Sequence, residues 1–309
     1  MRRAAALLAA VLLAACNAPD VPRERLPRFE PAAAARPNVA LVLGGGGPRG
    51  FAHVGVLKVL DEAGIKPDLI VGASVGAMVG ALYASGMDAA RIEREALELN
   101  VASFFEVRML TGKLSTGSQT QHWVNERVDR RPLEALPIPL VATAKRLRDG
   151  KLVLFNRGDA GLAVRASSAT PDMFDPVKIG DELYEDGDEM SPVPIRAARS
   201  LGARVVIAVD VSAYPETTPA GVPKEWIDKD ARRAKQVALE APEADVLLHP
   251  DIGYYAGHSA DYRKRVIAAA EQYVRQRLPA IRAAIAKAES PPRAQNDSTD
   301  RIPPGVASR

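Results

Sequence analysis

The stretch DLIVGASVGAMVGALYASG, residues 68–86, decides the fold of this chain. Its first part is an apolar run that predicts a buried strand, and its second part is a run of small residues that predicts a tightly packed helix. The pentapeptide GASVG at residues 72–76 lies between them and follows a G-x-S-x-G pattern. Glycines flanking a serine allow a sharp strand-to-helix turn that lifts the serine oxygen over the helix N-terminus. We therefore predict that Gly72 and Gly76 form an elbow that presents Ser74.

A glycine-rich loop precedes this element. The stretch VALVLGGGGPRGFAHVGVLKVLDEAG, residues 39–64, predicts a strand over 39–43, a glycine loop over 44–47 and a helix over about 50–63. Consecutive glycines expose several backbone N–H groups, and the helix behind them adds unpaired N–H groups and the positive end of its dipole. The loop is therefore predicted to bind an anion.

Two kinds of anion fit such a loop. Residues 45–50 also satisfy G-x-G-x-x-G, which is typical of a loop that binds the pyrophosphate of a dinucleotide. A dinucleotide site would need an acid at the end of the second strand, whereas Asp68 precedes that strand and Ser74 ends it. This order favours an oxyanion hole over the dinucleotide alternative. The N–H groups that would hold the oxyanion belong to Gly45, Gly46 and Gly47.

The motifs together resemble those of the patatin-like phospholipases, lipid acyl hydrolases with a Gly-rich oxyanion loop and a G-x-S-x-G serine. The third signature of that family is Asp-Gly-Gly or Asp-Gly-Ala, and LYEDGDEMSPVPI supplies Asp186-Gly187 here. The resemblance spans roughly residues 39–278 and implies an α/β fold of three layers. Predicted strands and helices also alternate along the chain, which by itself indicates a mainly parallel central sheet with helices on both faces.

The resemblance implies a Ser–Asp dyad without histidine. Ser74 would attack an ester carbonyl, and Asp186, followed by Gly187, would accept the serine proton. A buried aspartate with a raised pKa would suit this task better than an ordinary one. Arg49 would orient the oxyanion loop or meet a lipid phosphate. The expected substrate is a phospholipid or another acyl ester, and no metal or cofactor is expected.

Histidines provide a second arrangement. A triad of the α/β-hydrolase type runs Ser…Asp…His, and His249 and His258 both follow Ser74 and Asp186 in the sequence. The glycine loop ahead of the elbow favours the dyad over this triad. His53, in the first predicted helix, is predicted to be a hydrogen-bonded structural residue.

Three places depart from the family pattern. Asp188 stands where the third residue of the Asp-Gly-Gly/Ala motif is usually small, and a second carboxylate there would raise the pKa of Asp186 or crowd the site. Lys145 stands in a strand that usually reads Ala-Thr-Asp, and Thr170 and Asp172 lie in a block that tends to carry apolar or small residues. The alternative function is therefore a catalytically degenerate patatin-like lipoprotein that binds lipid or an envelope partner.

The N-terminus carries a membrane-targeting pattern. Residues 1–15 combine Arg2 and Arg3 with a short apolar run, as in a secretory signal peptide. The run ends Leu-Ala-Ala before Cys16, the only cysteine of the chain, and so resembles a bacterial lipobox. We expect lipidated Cys16 to anchor the protein. Asn17 rather than Asp follows it, and the resemblance to bacterial sorting signals implies the outer membrane, with the domain facing the periplasm. The alternative is a simple cleaved signal with an incidental cysteine.

The other segments are assigned from composition. Residues 16–37 are predicted to form the lipidated end and a flexible tether, 38–289 the patatin-like domain, and 290–309 a disordered tail. Within the domain, residues 213–235 are predicted to be a Pro-bearing insertion. An apolar group is predicted to be either a lid or acyl-chain wall, or ordinary core. Its members are Phe104, Phe105, Met109 and Leu110.

Composition limits the class of partner. Apolar residues make up 47% of the chain and charged residues 26%, which is typical of a globular protein. The formal net charge is +3, and no block of basic residues indicates a nucleic-acid partner. With one cysteine, the fold cannot rely on an internal disulfide.

Overall fold

A central eight-stranded sheet organises the part of the chain that the computed structural model describes, residues 21–31, 37–104, 115–171 and 173–289. The strands are β1 (Val39–Leu43), β2 (Leu69–Ala73), β3 (Leu140–Arg146), β4 (Leu152–Phe155), β5 (Val177–Ile179), β6 (Glu182–Glu185), β7 (Val205–Val209) and β8 (Val246–Leu248). Their order across the sheet is β5-β6-β3-β2-β1-β7-β8, with β4 also paired to β3.

Helices connect the strands. They are α1 (Ala52–Glu62), α2 (Val75–Ala84), α3 (Ala89–Glu98), α4 (Ser118–Arg127), α5 (Ala160–Ser167), α6 (Ile195–Ser200), α7 (Lys224–Glu240) and α8 (Ala260–Glu289). A 3-10 turn, Gly47–Phe51, leads into α1. Within the described ranges, no helix combines the length and the apolar composition needed to cross a bilayer.

The middle of the sheet is parallel. β1 pairs in parallel with β2 and β7, β2 pairs with β3, and β7 pairs with β8. The antiparallel pairs are β3 with β4, β3 with β6, and β5 with β6. All five residues of β1, β2 and β7 are buried, because helices cover both faces of a central parallel strand. The predicted α/β class with a mainly parallel sheet is confirmed, and the antiparallel pairs make the sheet a mixed one.

Successive residues of a strand pack on opposite faces of the sheet, and two apolar clusters result. Leu41 and Leu43 of β1 belong to the larger cluster, which includes side chains of α1, α2, α5 and α8. Ala40 and Val42 belong to the smaller cluster, which includes side chains of α6 and Val237 of α7. The three-layer architecture predicted from the sequence is therefore confirmed.

The backbone of α2 rests directly on the sheet. A Cβ atom added at Gly76 would lie 2.1 Å from the carbonyl oxygen of Leu43 in β1. One turn later, a Cβ atom at Gly80 would lie 3.0 Å from the Cγ2 atom of Ile70, which belongs to a side chain. The run of small residues therefore serves close helix–sheet packing, and the closest approach is beside the elbow.

Part of the expected tether lies on the domain. The N–H of Arg28 donates to the Arg157 carbonyl over 3.2 Å, and the N–H of Asp159 donates to the Arg25 carbonyl over 2.7 Å. Val21 and Leu26 pack against the larger apolar cluster. The expectation of a flexible tether is therefore wrong for residues 21–31, because backbone pairing of this kind leaves no trace in composition.

The segment 213–235, predicted to be a Pro-bearing insertion, contains most of α7. The helix begins at Lys224 after Pro223. It packs on the sheet through Val237 near its far end. α7 brings charged side chains close to the elbow serine.

Several predicted features lie outside the described residues. They are the signal segment 1–15, Cys16, Asp172, the tail 290–309, and Phe105, Met109 and Leu110 of the apolar group. Phe104, the remaining member of that group, is buried and packs edge-on against Trp123 with ring centroids 5.8 Å apart.

Substituting Gly76→Ala is expected to destabilise the domain by about 1–3 kcal/mol, because the added methyl group would collide with backbone atoms of β1 that cannot move independently. Gly80→Ala is the matched control on the same helix. Its methyl group meets side-chain atoms, and alanine favours helix by up to about 1 kcal/mol over glycine. Urea unfolding followed by circular dichroism measures both. Equal free energies of unfolding for the two variants would contradict this account of α2.

Candidate active site

The sheet brings three distant motifs to one edge. β1 and β2 are adjacent parallel strands with Leu43 paired to Gly72, so the glycine loop and the elbow both follow strands that end at the same edge. β6 runs back along the end of β3, with Glu185 opposite Lys145. This antiparallel return delivers Asp186, the next residue, to the edge where β2 ends.

Ser74 occupies a strained turn between β2 and α2. Its φ of 52° and ψ of −125° lie outside the common regions for residues with a side chain, at a cost of roughly 1–3 kcal/mol. Its N–H donates to Ser167 Oγ over 2.9 Å, and α2 begins at the next residue. Ser74 is only 8% exposed. The sharp strand-to-helix turn predicted from Gly72 and Gly76 is confirmed.

Asp186 lies beside Ser74 at the inner end of the site. The Ser74 hydroxyl lowers the pKa of the Asp186 carboxyl group, the Thr170 hydroxyl donates to Oδ2 over 3.2 Å, and the N–H of Asp188 donates to Oδ1 over 2.9 Å. Burial raises the pKa of Asp186 to about 6, against the lowering effects of the Ser74 hydrogen bond and the Arg233 charge. A hydroxyl paired with a carboxylate of raised pKa is an arrangement suited to nucleophile and base.

The glycine loop divides into anchored and open amides. The N–H of Gly44 donates to the Val209 carbonyl over 3.0 Å, and the N–H of Gly45 donates to the Pro192 carbonyl over 2.9 Å. The amide of Gly45, predicted as an oxyanion donor, is therefore engaged elsewhere. Those of Gly46 and Gly47 have no hydrogen-bond acceptor within the part of the chain that the structure describes.

His53 holds the beginning of this loop. It is fully buried, and burial lowers its pKa to about 4, so the ring is neutral at neutral pH. Its Nε2 lies 2.8 Å from the Gly44 carbonyl oxygen, which only accepts, so Nε2 is the protonated nitrogen. The predicted structural role of His53 agrees with this bond.

Arg49 reaches across the loop to another segment. Its guanidinium donates to the Tyr254 carbonyl and lies 5.9 Å from the centroid of the Tyr254 ring. Its Nε is buried and has no hydrogen-bond partner among the described residues. Arg49 therefore lines the site from the α1 side.

The other histidines do not complete a triad with the serine. His249 bonds the Asp210 carbonyl over 3.1 Å and stacks on Tyr214, with ring centroids 4.1 Å apart. His258 lies in the wall of the cavity, where burial lowers its pKa. Within the described ranges, no histidine hydrogen-bonds Ser74 or Asp186. The geometry therefore favours the dyad over the His-dependent triad.

A cavity of about 640 Å³ opens beside Ser74, within the range of pockets that enclose small ligands. Its inner wall is apolar and includes Met78, Val79, Leu82, Ile92, Ala96, Phe104 and Trp123. Its other wall is charged and is formed by Arg49, Asp188, Lys229, Asp230 and Arg233. Trp226 and Tyr255 also line it and are 51% and 57% exposed, which places aromatic rings at its mouth.

Sequence analysis missed four residues of this site. Thr170 was noted only as a departure from the family, yet its hydroxyl contacts Asp186. Ser167 and Pro192 hold backbone groups of the elbow and the loop. The hydroxyl-rich run RASSATP before Pro171 is a signal that could have indicated Ser167 and Thr170. Arg233 carries no local sequence signal.

The remaining motif residues lie around this centre. The carbonyl of Gly187 accepts the N–H of Met190 over 2.8 Å, in the turn that follows Asp186. Lys145, a departure from the family pattern, lies 3.7 Å from Glu185 across the β3–β6 pair. Among the residues that the structure covers, no three His, Cys, Asp or Glu side chains are grouped as metal ligands would be.

The fold and the site define the class of this protein. It is an α/β protein with an elbow serine, and a glycine loop follows the strand next to the one that the serine ends. The chain belongs to the patatin-like phospholipase family, whose model matches residues 41–199. The match contains the glycine loop, Ser74 and Asp186.

Relatives support this membership. An uncharacterized NTE family protein of Mycobacterium tuberculosis is 32% identical over 203 residues, 63% of this chain and 56% of that protein. Lysophospholipase NTE1 of Coccidioides immitis is 32% identical over 190 residues, 60% of this chain and 12% of that protein. The chain thus spans about half the length of the first and a small part of the second.

A solved structure shares the fold. VipD from Legionella pneumophila superposes with a TM-score of 0.55 at 13% identity, over 89% of this chain and 73% of that chain. At this low identity the superposition shows the architecture alone.

The carboxyl group of Asp186 is expected to titrate near pH 6, and its pKa is expected to rise further in Ser74→Ala, because the serine hydroxyl stabilises the charged form. Carboxyl-detected NMR of selectively labelled aspartate, assigned with Asp186→Asn, measures both values. Ser168→Ala is the control, since the Ser168 hydroxyl is buried near the site but has no hydrogen-bond partner among the described residues. An Asp186 pKa near 3.8 would contradict the raising effect of burial, and a fall in Ser74→Ala would contradict the stabilisation of the carboxylate by the serine hydroxyl.

Proposed function

We propose that this protein is a serine acyl ester hydrolase that acts on membrane lipids, of the phospholipase A or lysophospholipase type. The observation that carries the proposal is the placement of the elbow serine Ser74 and the buried Asp186 together in the lining of one largely apolar cavity. Membership of the patatin-like phospholipase family supports it. The proposed mechanism needs no metal or cofactor.

In the first half-reaction, Asp186 accepts the proton of the Ser74 hydroxyl while the serine oxygen attacks the ester carbonyl carbon. The tetrahedral oxyanion accepts hydrogen bonds from the open N–H groups of Gly46 and Gly47, which lie at the start of the helical segment leading into α1. The C–O bond to the alcohol then breaks, Asp186 returns the proton to the leaving alcohol, and the acyl group stays on Ser74.

In the second half-reaction, water replaces the alcohol. Asp186 accepts a proton from the attacking water, and the same two N–H groups hold the second oxyanion. Collapse releases the fatty acid, and the proton on Asp186 returns to the serine oxygen. The raised pKa suits both halves, because a carboxylate with an ordinary pKa is too weak a base for a hydroxyl.

The cavity supports a lipid as substrate. An acyl chain would lie along the apolar wall formed by residues such as Leu82, Ile92 and Phe104, with the ester beside Ser74. The head group would then face the charged wall, which includes Arg49 and Lys229. The Coccidioides relative is named a lysophospholipase, and its similarity favours a lipid with one acyl chain.

The second candidate function is a degenerate domain that binds lipid without cleaving it. The observation that favours it is Asp188, since a Cβ atom added at Gly45 would lie only 2.2 Å from Asp188 Oδ1. A carboxylate so close to the glycine loop would oppose an oxyanion unless its charge is balanced.

A fluorophosphonate probe and p-nitrophenyl esters separate the two functions. Wild type is expected to be labelled and to turn over esters. Ser74→Ala is expected to lose both, because it has no nucleophile, and Asp186→Asn is expected to lose roughly 10²–10⁴-fold in kcat, because it has no base.

Ser85→Ala is the matched control, because Ser85 is at the other end of α2 and bonds the Leu82 carbonyl. A folded wild type that neither reacts with the probe nor cleaves esters would leave only the binding function.

We also propose that the protein is a lipoprotein of the outer membrane that faces the periplasm, anchored through Cys16 after cleavage of residues 1–15. Support comes from the charged and apolar parts of that segment and from its Leu-Ala-Ala-Cys ending. Several acyl chains on one cysteine hold a protein stably on a membrane, whereas a single chain does so only marginally.

Expression of the full chain in a bacterial host with an alkyne-tagged fatty acid tests the anchor. Wild type is expected to carry the tag and to sediment with the outer-membrane fraction of the cells, because Cys16 supplies the acylation site. Cys16→Ser is expected to lose the tag and to leave the membrane fraction. Ser74→Ala, which keeps the cysteine, serves as the control for acylation at the elbow serine. An untagged wild type would overturn the proposal.

A further inference from the structure

A buried ion pair lies against the glycine loop. Arg233 of α7 is buried, and its Nη1 pairs with a carboxylate oxygen of Asp188. Its Nη2 donates to the carbonyl of Gly45 over 3.2 Å and to Ser212 Oγ over 3.0 Å. One guanidinium therefore joins the Asp186-Gly187 turn, the glycine loop and the segment after β7.

We propose that Arg233 is a positioning residue of the active site, which neutralises Asp188 and fixes the Gly45 carbonyl so that the oxyanion loop works beside a second carboxylate. This inference rests on the proposed hydrolase function. It assigns a task to a residue outside the matched family segment, 41–199.

The first part of the task follows from the position of Asp188. The same face of Gly45 approaches Asp188 Oδ1 and Ser74 Cβ, since an added Cβ atom would lie 2.2 Å from the first and 3.2 Å from the second. Asp188 is thus close to the oxygen that attacks and to the oxyanion that forms. An unbalanced negative charge there would oppose the transition state, and a buried charge without a partner is costly in any protein.

The second part of the task follows from peptide geometry. The described chain has no cis peptide bond, and in a trans peptide the C=O and the following N–H point in opposite directions. The bond from Arg233 to the Gly45 carbonyl therefore sets the direction of the Gly46 N–H, one of the two open oxyanion donors. The amide of Gly45 is held by Pro192 at the same time, so the loop is fixed at two successive groups.

The pKa of Asp186 provides a measurement that distinguishes the positioning role of Arg233 from a purely structural one, because it depends on the charges around Asp186. Arg233 and Lys229 of α7 both lower its pKa electrostatically, while the hydroxyls of Ser74 and Thr170 lower it through hydrogen bonds. Asp188 lies in the same turn, and Arg49 faces Arg233 from the glycine loop. Removing Arg233 is therefore expected to raise the pH at which the base becomes active.

The experiment compares purified full-length variants in fluorophosphonate labelling, p-nitrophenyl ester turnover and pH–rate profiles. Arg233→Met is expected to lower kcat by about a hundredfold through misplaced oxyanion donors, with little change in KM. Its acidic limb in kcat/KM is expected to move to higher pH. Arg233→Lys keeps the charge, so its acidic limb is expected to stay at the wild-type position while kcat falls less.

The double variant Asp188→Asn/Arg233→Met tests the neutralising role. The double variant removes both charges, so its kcat is expected to be roughly tenfold higher than that of Arg233→Met alone. If the two substitutions only damaged the structure independently, the double variant would instead combine both losses of kcat. Asp188→Asn alone breaks the ion pair but leaves the Arg233 bond to the Gly45 carbonyl, so its kcat is expected to fall less than that of Arg233→Met. Arg232→Met is the matched control, an exposed arginine beside Arg233 on the same helix.

Unfolding measurements on every variant separate lost folding from lost positioning, and the double variant keeps the test valid if Arg233→Met does not fold. A wild type that is active while Arg233→Met matches Arg232→Met in kcat and pH profile would overturn the inference and leave the hydrolase function intact. Additive losses in the double variant would also overturn it. A wild type without any activity would overturn the proposed function itself.

Discussion

The placement of Ser74 beside the buried carboxylate of Asp186 is the constraint on which the rest of the site depends. A carboxylate in water is too weak a base to activate a hydroxyl, and burial raises the pKa of Asp186 to about 6. Burial has a cost, however, because each buried carboxylate oxygen needs a donor. The Thr170 hydroxyl and the N–H of Asp188 supply those donors, one to each oxygen. The surroundings are therefore apolar enough to raise the pKa and polar enough to keep the carboxylate in place.

Sheet geometry is the second constraint, because it brings together residues that are far apart in the chain. Adjacent parallel strands end at one edge, so the glycine loop after β1 and the serine after β2 become neighbours. The antiparallel strand β6 starts beyond the end of β3 and pairs with the last residues of that strand, which brings Asp186 back to the same edge. The close approach of Gly76 to the Leu43 carbonyl then fixes the elbow helix against the loop that begins one residue later.

Charge balance is the third constraint. Asp188 breaks the small-residue rule of the motif and places a carboxylate next to Gly45, which taken alone would favour a degenerate domain. The structure places a buried guanidinium beside it, from a helix that follows all three motifs in the sequence. Whether a motif with a carboxylate at its third position can support activity therefore depends on the net charge of the folded site, and the residue at that one position does not decide it.

The α/β class, the sharp turn at Ser74, the glycine loop and the Asp186 motif could all be predicted from the amino-acid sequence. These features are local, since small residues, apolar runs and flanking glycines act on their immediate neighbours. Three other features could not be predicted: the Gly45 N–H donates to the Pro192 carbonyl, residues 21–31 lie on the domain, and Arg233 pairs with Asp188. Those contacts join segments that are distant in the sequence. The type of a residue does not indicate which distant group its backbone or its charge will contact after folding.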